Sequence, residues 1–582
     1  MSWLNKEFLN SKKESSGNRS NLICMPSYSS EQLKVIGDCV NKIAKNNRIV
    51  GVCLYGSTVA GYSGPNSDCD IIIVLENYSF IVKYVYLKES KIEISALIVD
   101  RESLEKDART AFLGEFVIGR LLHIYDAIVN PEFFKRVETI YKRRVILEEI
   151  FDIVRSANIL STEISFPLDF IMFSKIKKRS ILYPNALYSY YKIYNCEDAD
   201  KNVAFALEGY QRALNEILRE DKDLLDKSPS GDSLRISEKR ILVNKNGRIA
   251  SLKLGKKLQD FSSYLVHVYA GRVTFRYVVK EAQSKIQRQK QQQLNLPMFM
   301  TSPKQSYWKL PEGMLIFNTK NWLDLIAKNM HFPRYSVSNK HRLGKIDSRT
   351  IRLTLTNLDD NSEKTIVVKE YAKTKGVKWA ALSVWTSQVK RFKVDPLFRL
   401  GNEYKALRYI RTLGLNTPAI KSVILGKRML VTEFIQGNSL ADAIKYCFNE
   451  DREYNNTNWI KMAGEQIARI HNDKSTLGNI KPKNLIIRGN LLYFTDVDQF
   501  GFQSGDPIWD IVQFLCRGLK QTSSSLVASK VVKEFLLGYS NEITAEHIKK
   551  LSRSKRYIES FYPLISPVVA RSIKSQTREF AS

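Results

Sequence analysis

Leu54 to Leu75 reads LYGSTVAGYSGPNSDCDIIIVL, and this stretch decides how the first part of the chain folds and what it can do. It begins in an apolar run, Ile49 to Tyr55, that stops at Gly56-Ser57. A turn, Ser63-Gly64-Pro65-Asn66, leads to a second apolar run opened by Asp68 and Asp70. Residues two apart in a strand face one side, so the two aspartates project together while Cys69 points into the core. Two carboxylates at that spacing, close to a Gly-Ser turn, can hold divalent cations against a triphosphate. Gly56 lets phosphate approach the backbone, and the short segment after Ser57 offers free N–H groups. An oxygen-only ligand set suits Mg²⁺ (or Mn²⁺), and two such ions stabilise both oxygens of an in-line displacement.

An apolar strand, Gly-Ser, a spacer and Asp-x-Asp on the next strand resemble the minimal nucleotidyltransferases of the polymerase β superfamily. The resemblance implies an NTP substrate and a third carboxylate on a neighbouring strand. Glu93, in Lys91-Ile92-Glu93-Ile94-Ser95-Ala96-Leu97-Ile98-Val99, fits that place, with Asp100 as the fallback. In that scheme Asp68 and Asp70 bind both metal ions, and Glu93 ligates the ion that activates the acceptor hydroxyl. Gly56 and Ser57 cradle the nucleotide. Many members carry Arg before the second glycine of the turn, where this chain has Ala60 before Gly61, which affects how the triphosphate is gripped.

At 582 residues the chain is expected to hold several domains. Lys and Arg number 90 against 60 Asp and Glu, a formal net charge of +30. Such an excess favours a polyanionic partner, with RNA, tRNA among the candidates, ahead of a membrane surface. Seven cysteines are scattered without a C-x-x-C pair, which suits a reducing interior and offers no zinc ligand set. The N-terminus holds no apolar signal core, and no apolar run approaches membrane-spanning length. The expected location is cytoplasmic.

The expected fold is α+β multidomain. Residues 1–28 read as a flexible N-terminus and 29–104 as the nucleotidyltransferase domain, a mixed sheet over about 49–100 with a covering helix from Ser29 to Asn46. Residues 105–293 read as a mostly helical middle domain. Its apolar spacing predicts helices over Phe112–Ile128, Val137–Ile159 and Val203–Leu218. A β-hairpin is expected around Arg240–Ala250, then a basic helix from Lys257 to Gln293. Lys175-Ile176-Lys177-Lys178-Arg179, followed by Tyr188, Tyr190, Tyr191 and Tyr194, suits phosphate contact and base stacking, or else a solvated helix end beside a tyrosine-rich core. The Gly-Ser/Asp-x-Asp sheet, Leu113-Gly114-Glu115, Phe166-Pro167 and the Lys/Arg-rich Tyr-Pro segment together look like a group of archaeal nucleotidyltransferases, over about residues 30–300. A linker is placed at 294–303.

A second set of motifs follows in 304–582. Thr365 to Tyr371 reads TIVVKEY, a helix from Arg399 to Ile410 carries Glu403, and Met429 to Phe434 reads as a strand. Then come Leu477-Gly478-Asn479-Ile480-Lys481-Pro482-Lys483-Asn484, Asp496-Val497-Asp498 and Gly505-Asp506-Pro507-Ile508-Trp509-Asp510. This order is similar to the protein-kinase-like superfamily in its short archaeal branches, and implies a bilobal fold that binds ATP. By that resemblance Lys369 contacts the α- and β-phosphates and pairs with Glu403, Asn479 and Lys481 lie in the catalytic loop, Asn484 and Asp496 hold Mg²⁺, and Asp510 braces the loop. A lysine that positions phosphates and an amide plus a carboxylate on the metal make sense as chemistry in any fold. The catalytic position expected to carry Asp is Asn479, whose amide cannot accept a proton as a carboxylate does. Ser338 to Arg349 offers only Gly344 where a glycine-rich loop is expected. Asp498 reads either as a metal or base residue or as a surface acid beside the site. The last segment, Val531 to Ile573, is helical and basic.

The expected function is Mg-dependent transfer of an NMP group from an NTP to RNA, with an appended kinase-like ATP-binding domain. The alternatives are transfer to a protein or small molecule, or a nucleotide-binding regulatory protein with a decayed kinase head. No protein partner is specified.

Overall fold

The computed structural model describes residues 28–64, 67–89, 92–183, 186–228, 231–243, 249–251, 295–343, 349–372, 392–446, 458–542, 546–553 and 556–581. The expected helix over Lys257–Gln293, the N-terminal 27 residues and the turn of the hairpin near Asn246 lie outside them. The chain divides into two compact units. One takes residues up to Asp152, Ser165–Arg240 and Leu252–Trp308, and the other takes Ile153–Ile164, Ile241–Ser251 and Lys309–Ser582.

In the first unit, α1 (Ser30–Ala44) starts at a capping box in which Ser29 and Gln32 satisfy each other's backbone N–H. Strands β1 (Ile49–Tyr55), β2 (Cys69–Leu75), β3 (Val82–Glu89) and β4 (Ile92–Asp100) follow, with the one-turn helix α2 (Ser57–Ala60) between β1 and β2. A fifth strand, β5 (Asp126–Val129), joins the sheet from beyond the expected 49–100 span, giving the order β3-β4-β2-β1-β5. Strand β2 runs parallel to β4 and antiparallel to β1. Both central strands are apolar on both faces, as strands buried on two sides must be.

Strand β5 lies where apolar spacing predicts helix over Phe112–Ile128. The structure corrects this. After α3 (Arg101–Thr110) the chain is left-handed at Ala111, Gly114 and Glu115, followed by one 3₁₀ turn at Ile118–Leu122. The buried Asp107 carboxylate accepts from the backbone N–H groups of Leu113, Glu115 and Ile118 at 2.7, 3.1 and 3.4 Å, and so stabilises the loop rather than a helix. Helices α4 (Pro131–Ala157), α5 (Leu168–Leu182), α6 (Ala186–Ile193) and α7 (Ala199–Glu220) follow, then two short strand pairs, β6 (Leu225–Lys227) with β7 (Leu234–Ile236) and β8 (Leu242–Val243) with β9 (Ile249–Ser251). The expected 294–303 linker contains helix α8 (Met298–Thr301), and α9 (Pro303–Tyr307) follows. Phe299 packs on Phe173 with ring centroids 4.4 Å apart, and Trp308 packs on Phe170, so this stretch belongs to the first unit's core.

In the basic run on α5, Lys175 and Arg179 are turned inward, while Lys177 and Lys178 stay partly exposed. Lys175 meets Glu115 at 2.6 Å, Arg179 meets it at 3.2 Å, and Lys178 meets Glu149 at 2.7 Å. Arg179 is 1% exposed and passes where a side chain on Gly119 would stand. Burial works against ionised Glu115, but Lys175, Arg144 and Arg179 hold its carboxyl well below the usual carboxylate range. These cations neutralise an internal carboxylate and are not available to solvent polyanions. Tyr190 and Tyr194 are buried as well, as the core alternative requires.

In the second unit the sheet order is β10-β14-β15-β13-β12-β11, from β10 (Met314–Ile316), β11 (Tyr335–Leu343), β12 (Thr350–Asn357), β13 (Glu363–Glu370), β14 (Ile420–Ile424) and β15 (Met429–Glu433). All neighbours are antiparallel except β10 and β14. One face buries Leu353, Leu355, Ile366, Val368 and Val431 with Ile326 and Ala327 of α10 (Trp322–Asn329). By strand alternation Lys369 faces the other side, and its ion-pair partner Glu403 sits on helix α11 (Pro396–Thr412). Beyond lie β16 (Asn438–Ser439), α12 (Leu440–Tyr446), α13 (Asn458–Asn472) and the hairpin β17 (Leu485–Arg488) and β18 (Leu491–Phe494). Helices α14 (Pro507–Gly518), α15 (Ser525–Glu542), α16 (Glu546–Arg553), α17 (Arg556–Glu559) and α18 (Pro567–Glu579) complete the chain.

Candidate functional site

In the first unit the turn between β1 and β2 is built around two glycines. Gly56 has φ +80°, and a Cβ there would lie 2.2 Å from Asp70 Oδ2. Only glycine therefore lets the Asp70 carboxylate lie against the start of α2. Gly61 ends α2 with φ +81°, and its missing Cβ leaves room for the Asp198 carboxylate. The Ala60 carbonyl is held by Asn202 Nδ2 at 2.9 Å. The turn is thus fixed from α7, which no local sequence signal announces.

Asp70 is half-buried and pairs in register with Tyr55 on β1 and Ser95 on β4. Asp68 precedes the strand and is also half-buried. Carrying the β2/β4 register back sets Asp68 level with Glu93, so all three carboxylates have the parity of one sheet face. Glu93 itself is exposed and forms a 2.7 Å ion pair with Lys88 across the β3/β4 rung. A pair this exposed is worth little and yields readily to a competing cation. Ser95, not an acid, stands directly beside Asp70 and bonds Tyr84 Oη at 2.8 Å. Asp100 is spent elsewhere: it caps α3 through Ser103 N.

The second unit brings Lys369, Glu403 and Asp496 together. Lys369 Nζ lies 2.5 Å from Glu403 Oε2 and also pairs with Asp496 Oδ1. Asn484 Nδ2 donates to Asp496 Oδ2 at 2.9 Å, and Lys481 Nζ stands 4.0 Å from the same oxygen. Burial works against charge on Lys369, but Asp496 and Glu403 hold it above the ordinary lysine range. Burial likewise opposes ionised Asp496, yet Lys369 and Lys481 keep its carboxyl well below the usual carboxylate range. Burial pushes Glu403 up, against the pull of Lys369. Asp496 is left-handed, φ +58°, a conformation that a non-glycine residue keeps only where its surroundings enforce it.

Asp510 is fully buried and accepts from Leu477 N at 2.6 Å and Gly478 N at 2.8 Å. His471 Nε2 approaches the same carboxylate at 3.3 Å, and Trp509 Nε1 donates to Gly478 O. These bonds fix the loop that carries Asn479, which lines a small recess with Asn484 and Asp496. Asp498 is not a surface acid: it is 2% exposed and ion-paired with Arg399, whose Nε is 2.7 Å away. Among the described residues, Glu403, Asp496 and Asp498 form a group of three carboxylates with ligand oxygens within 4.8 Å of one another. Lys369 and Arg399 counter that charge. Sequence reading missed Tyr371, whose hydroxyl donates to Glu403, and Arg399; both pairings span distances along the chain that leave no local pattern.

The described cysteines Cys39, Cys53, Cys69, Cys196 and Cys516 are free thiols, and no helix among the described residues is long and apolar enough to cross a membrane. No curated protein matches the chain. Residues 38–126 match the family model described as polymerase beta, nucleotidyltransferase. That span runs from α1 to the start of β5 and contains Gly56, Asp68, Asp70 and Glu93, so the chain carries a polymerase β-type nucleotidyltransferase domain there.

Proposed function

We propose that the first unit moves an NMP group from an NTP to a hydroxyl of RNA, in the cytoplasm, with Mg²⁺ (or Mn²⁺) held by Asp68, Asp70 and Glu93. The observation that supports this most is Gly56: its bare Cα leaves space for the Asp70 carboxylate beside the N–H groups that open α2. A triphosphate laid there meets backbone donors on one side and carboxylates on the other. The ions would supply charge neutralisation of the phosphates and of the leaving pyrophosphate. The protein's own part is to hold Asp70 in register with Tyr55 and Ser95, and to fix the turn through Asn202. RNA is favoured as acceptor by the net charge of +30. The test is incubation with α-phosphate-labelled NTPs, Mg²⁺ and total cellular RNA or protein. Label in RNA is expected; label in protein or in a small molecule instead would reassign the acceptor.

The second unit is read as a protein-kinase-like ATP site in which Lys369 and Glu403 position the phosphates and Asn484 and Asp496 hold a metal ion. The Lys369–Glu403–Asp496 convergence supports it. Asn479 can orient an acceptor hydroxyl but cannot take its proton, so phosphotransfer is weak and ATP binding is the main role.

A further inference from the structure

Helix α11 is held from two sides, and the two sides come from different parts of the sequence. On one side it carries Arg399 and Glu403, which engage Asp498 and Lys369. On the other it meets Ile153–Ile164, a segment that belongs to the second unit although Lys309 is the next long stretch of that unit to follow it. Asp395, the N-cap of α11, accepts from Phe398 N at 2.9 Å and also from Asn158 Nδ2 at 3.1 Å. Asn158 is left-handed, φ +51°, and its own Oδ1 accepts from Ile159 N at 2.7 Å. At Gly401 an added Cβ would stand 2.7 Å from both Leu160 N and Ile159 Cγ2. Farther along, Lys405 Nζ is 3.4 Å from Thr162 Oγ1, and Arg408 pairs with Glu163. Gly401, Lys405 and Arg408 recur at i, i+4 and i+7, one stripe of the helix; at about 100° per residue, Arg399 and Glu403 lie roughly opposite.

We propose that Ile153–Ile164 is the positioning element for α11, with Asn158, Glu163 and Gly401 as positioning residues that set where Glu403 meets Lys369, so that ATP affinity in the second unit depends on a segment encoded in the N-terminal half. This rests on the ATP-site reading above. The close approach at Gly401 sits two residues from Glu403, so a side chain there must push the helix or the segment away. A helix displaced even part of the time lowers the fraction of molecules in which Lys369 is held by Glu403, and apparent affinity falls with that fraction.

The experiment uses the full chain carrying Asp68→Asn and Asp70→Asn, so that ATP·Mg²⁺ binding by titration calorimetry reports on the second unit. Lys369→Met should abolish binding. Gly401→Val should weaken it by about tenfold, and Glu163→Arg by about fivefold. Adding Arg408→Glu to Glu163→Arg should restore the affinity to within about twofold. If Gly401→Val does not fold, the charge-exchange pair decides alone. Clamp variants that melt earlier but bind ATP like their parent would overturn the proposal and leave the ATP site standing. A parent that binds no ATP, or Lys369→Met that binds like its parent, would instead overturn the ATP-site reading.

Discussion

At the scale of single residues, Gly56 and Asp70 carry the sharpest expectations. Gly56→Ala places a methyl 2.2 Å from Asp70 Oδ2 in a left-handed backbone, so it must move the carboxylate. Misplacement of that order should cut label transfer by about a hundredfold while leaving the melting transition of the second unit unchanged. Asp68→Asn with Asp70→Asn should remove transfer altogether; label that persists in the double variant would sink the site. Asp107 makes a pH prediction. Burial pushes its carboxyl up to about 6 from an ordinary 3.8, so the folded state binds its proton more tightly than the unfolded one. Its contribution to stability is complete below the unfolded value and is lost as pH rises through about 6, at about 1.4 kcal/mol per pH unit in that window. Relative to Asp107→Asn, the wild type should therefore gain thermal stability between pH 7 and pH 4, and a flat difference would refute it. The Asp-x-Asp pair and the Gly-Ser turn were legible because both depend on strand parity and neighbours in sequence. The internal use of Lys175 and Arg179 was not, because Glu115 lies 60 residues or more from either.

At the scale of elements, the loop from Leu477 to Asn484 depends on one buried carboxylate. Asp510→Ala leaves two backbone donors without their acceptor and should cost about 3 kcal/mol, seen as a lower melting transition. Asn479→Asp puts a proton acceptor where the loop now has an amide, and should raise phosphotransfer in a radiolabelled ATP assay; no change would show that more than the base is missing. Helix periodicity found α1 and α7 because each has an apolar stripe long enough to register. It failed over Phe112–Ile128. There, apolar residues are spaced for a helix, but Asp107 competes for the backbone and β1 offers β5 a place in a sheet. Tertiary partners outweigh spacing wherever they satisfy the same N–H groups.

At the scale of the whole molecule, the net charge of +30 predicts RNA binding that weakens steeply with salt. A plot of log affinity against log salt should fall with a slope of roughly −0.7 for each phosphate contacted on a single strand. A shallow slope would remove the electrostatic case for RNA. Part of the formal charge is committed internally, so the slope reports only the exposed remainder. Sequence alone determined strands β1, β2, β4, β13 and β15, the Asp68/Asp70 parity, the Lys369 and Glu403 elements and the order of the two sets of motifs, since these rest on periodicity and on residues close in the chain. Only the tertiary structure decided that Ser95 stands beside Asp70, that Asp498 is buried against Arg399, and that Ile153–Ile164 packs on α11. Each of those depends on which distant segments share a surface, and the free energy of burying apolar groups and pairing their polar neighbours sets that choice without leaving a local pattern.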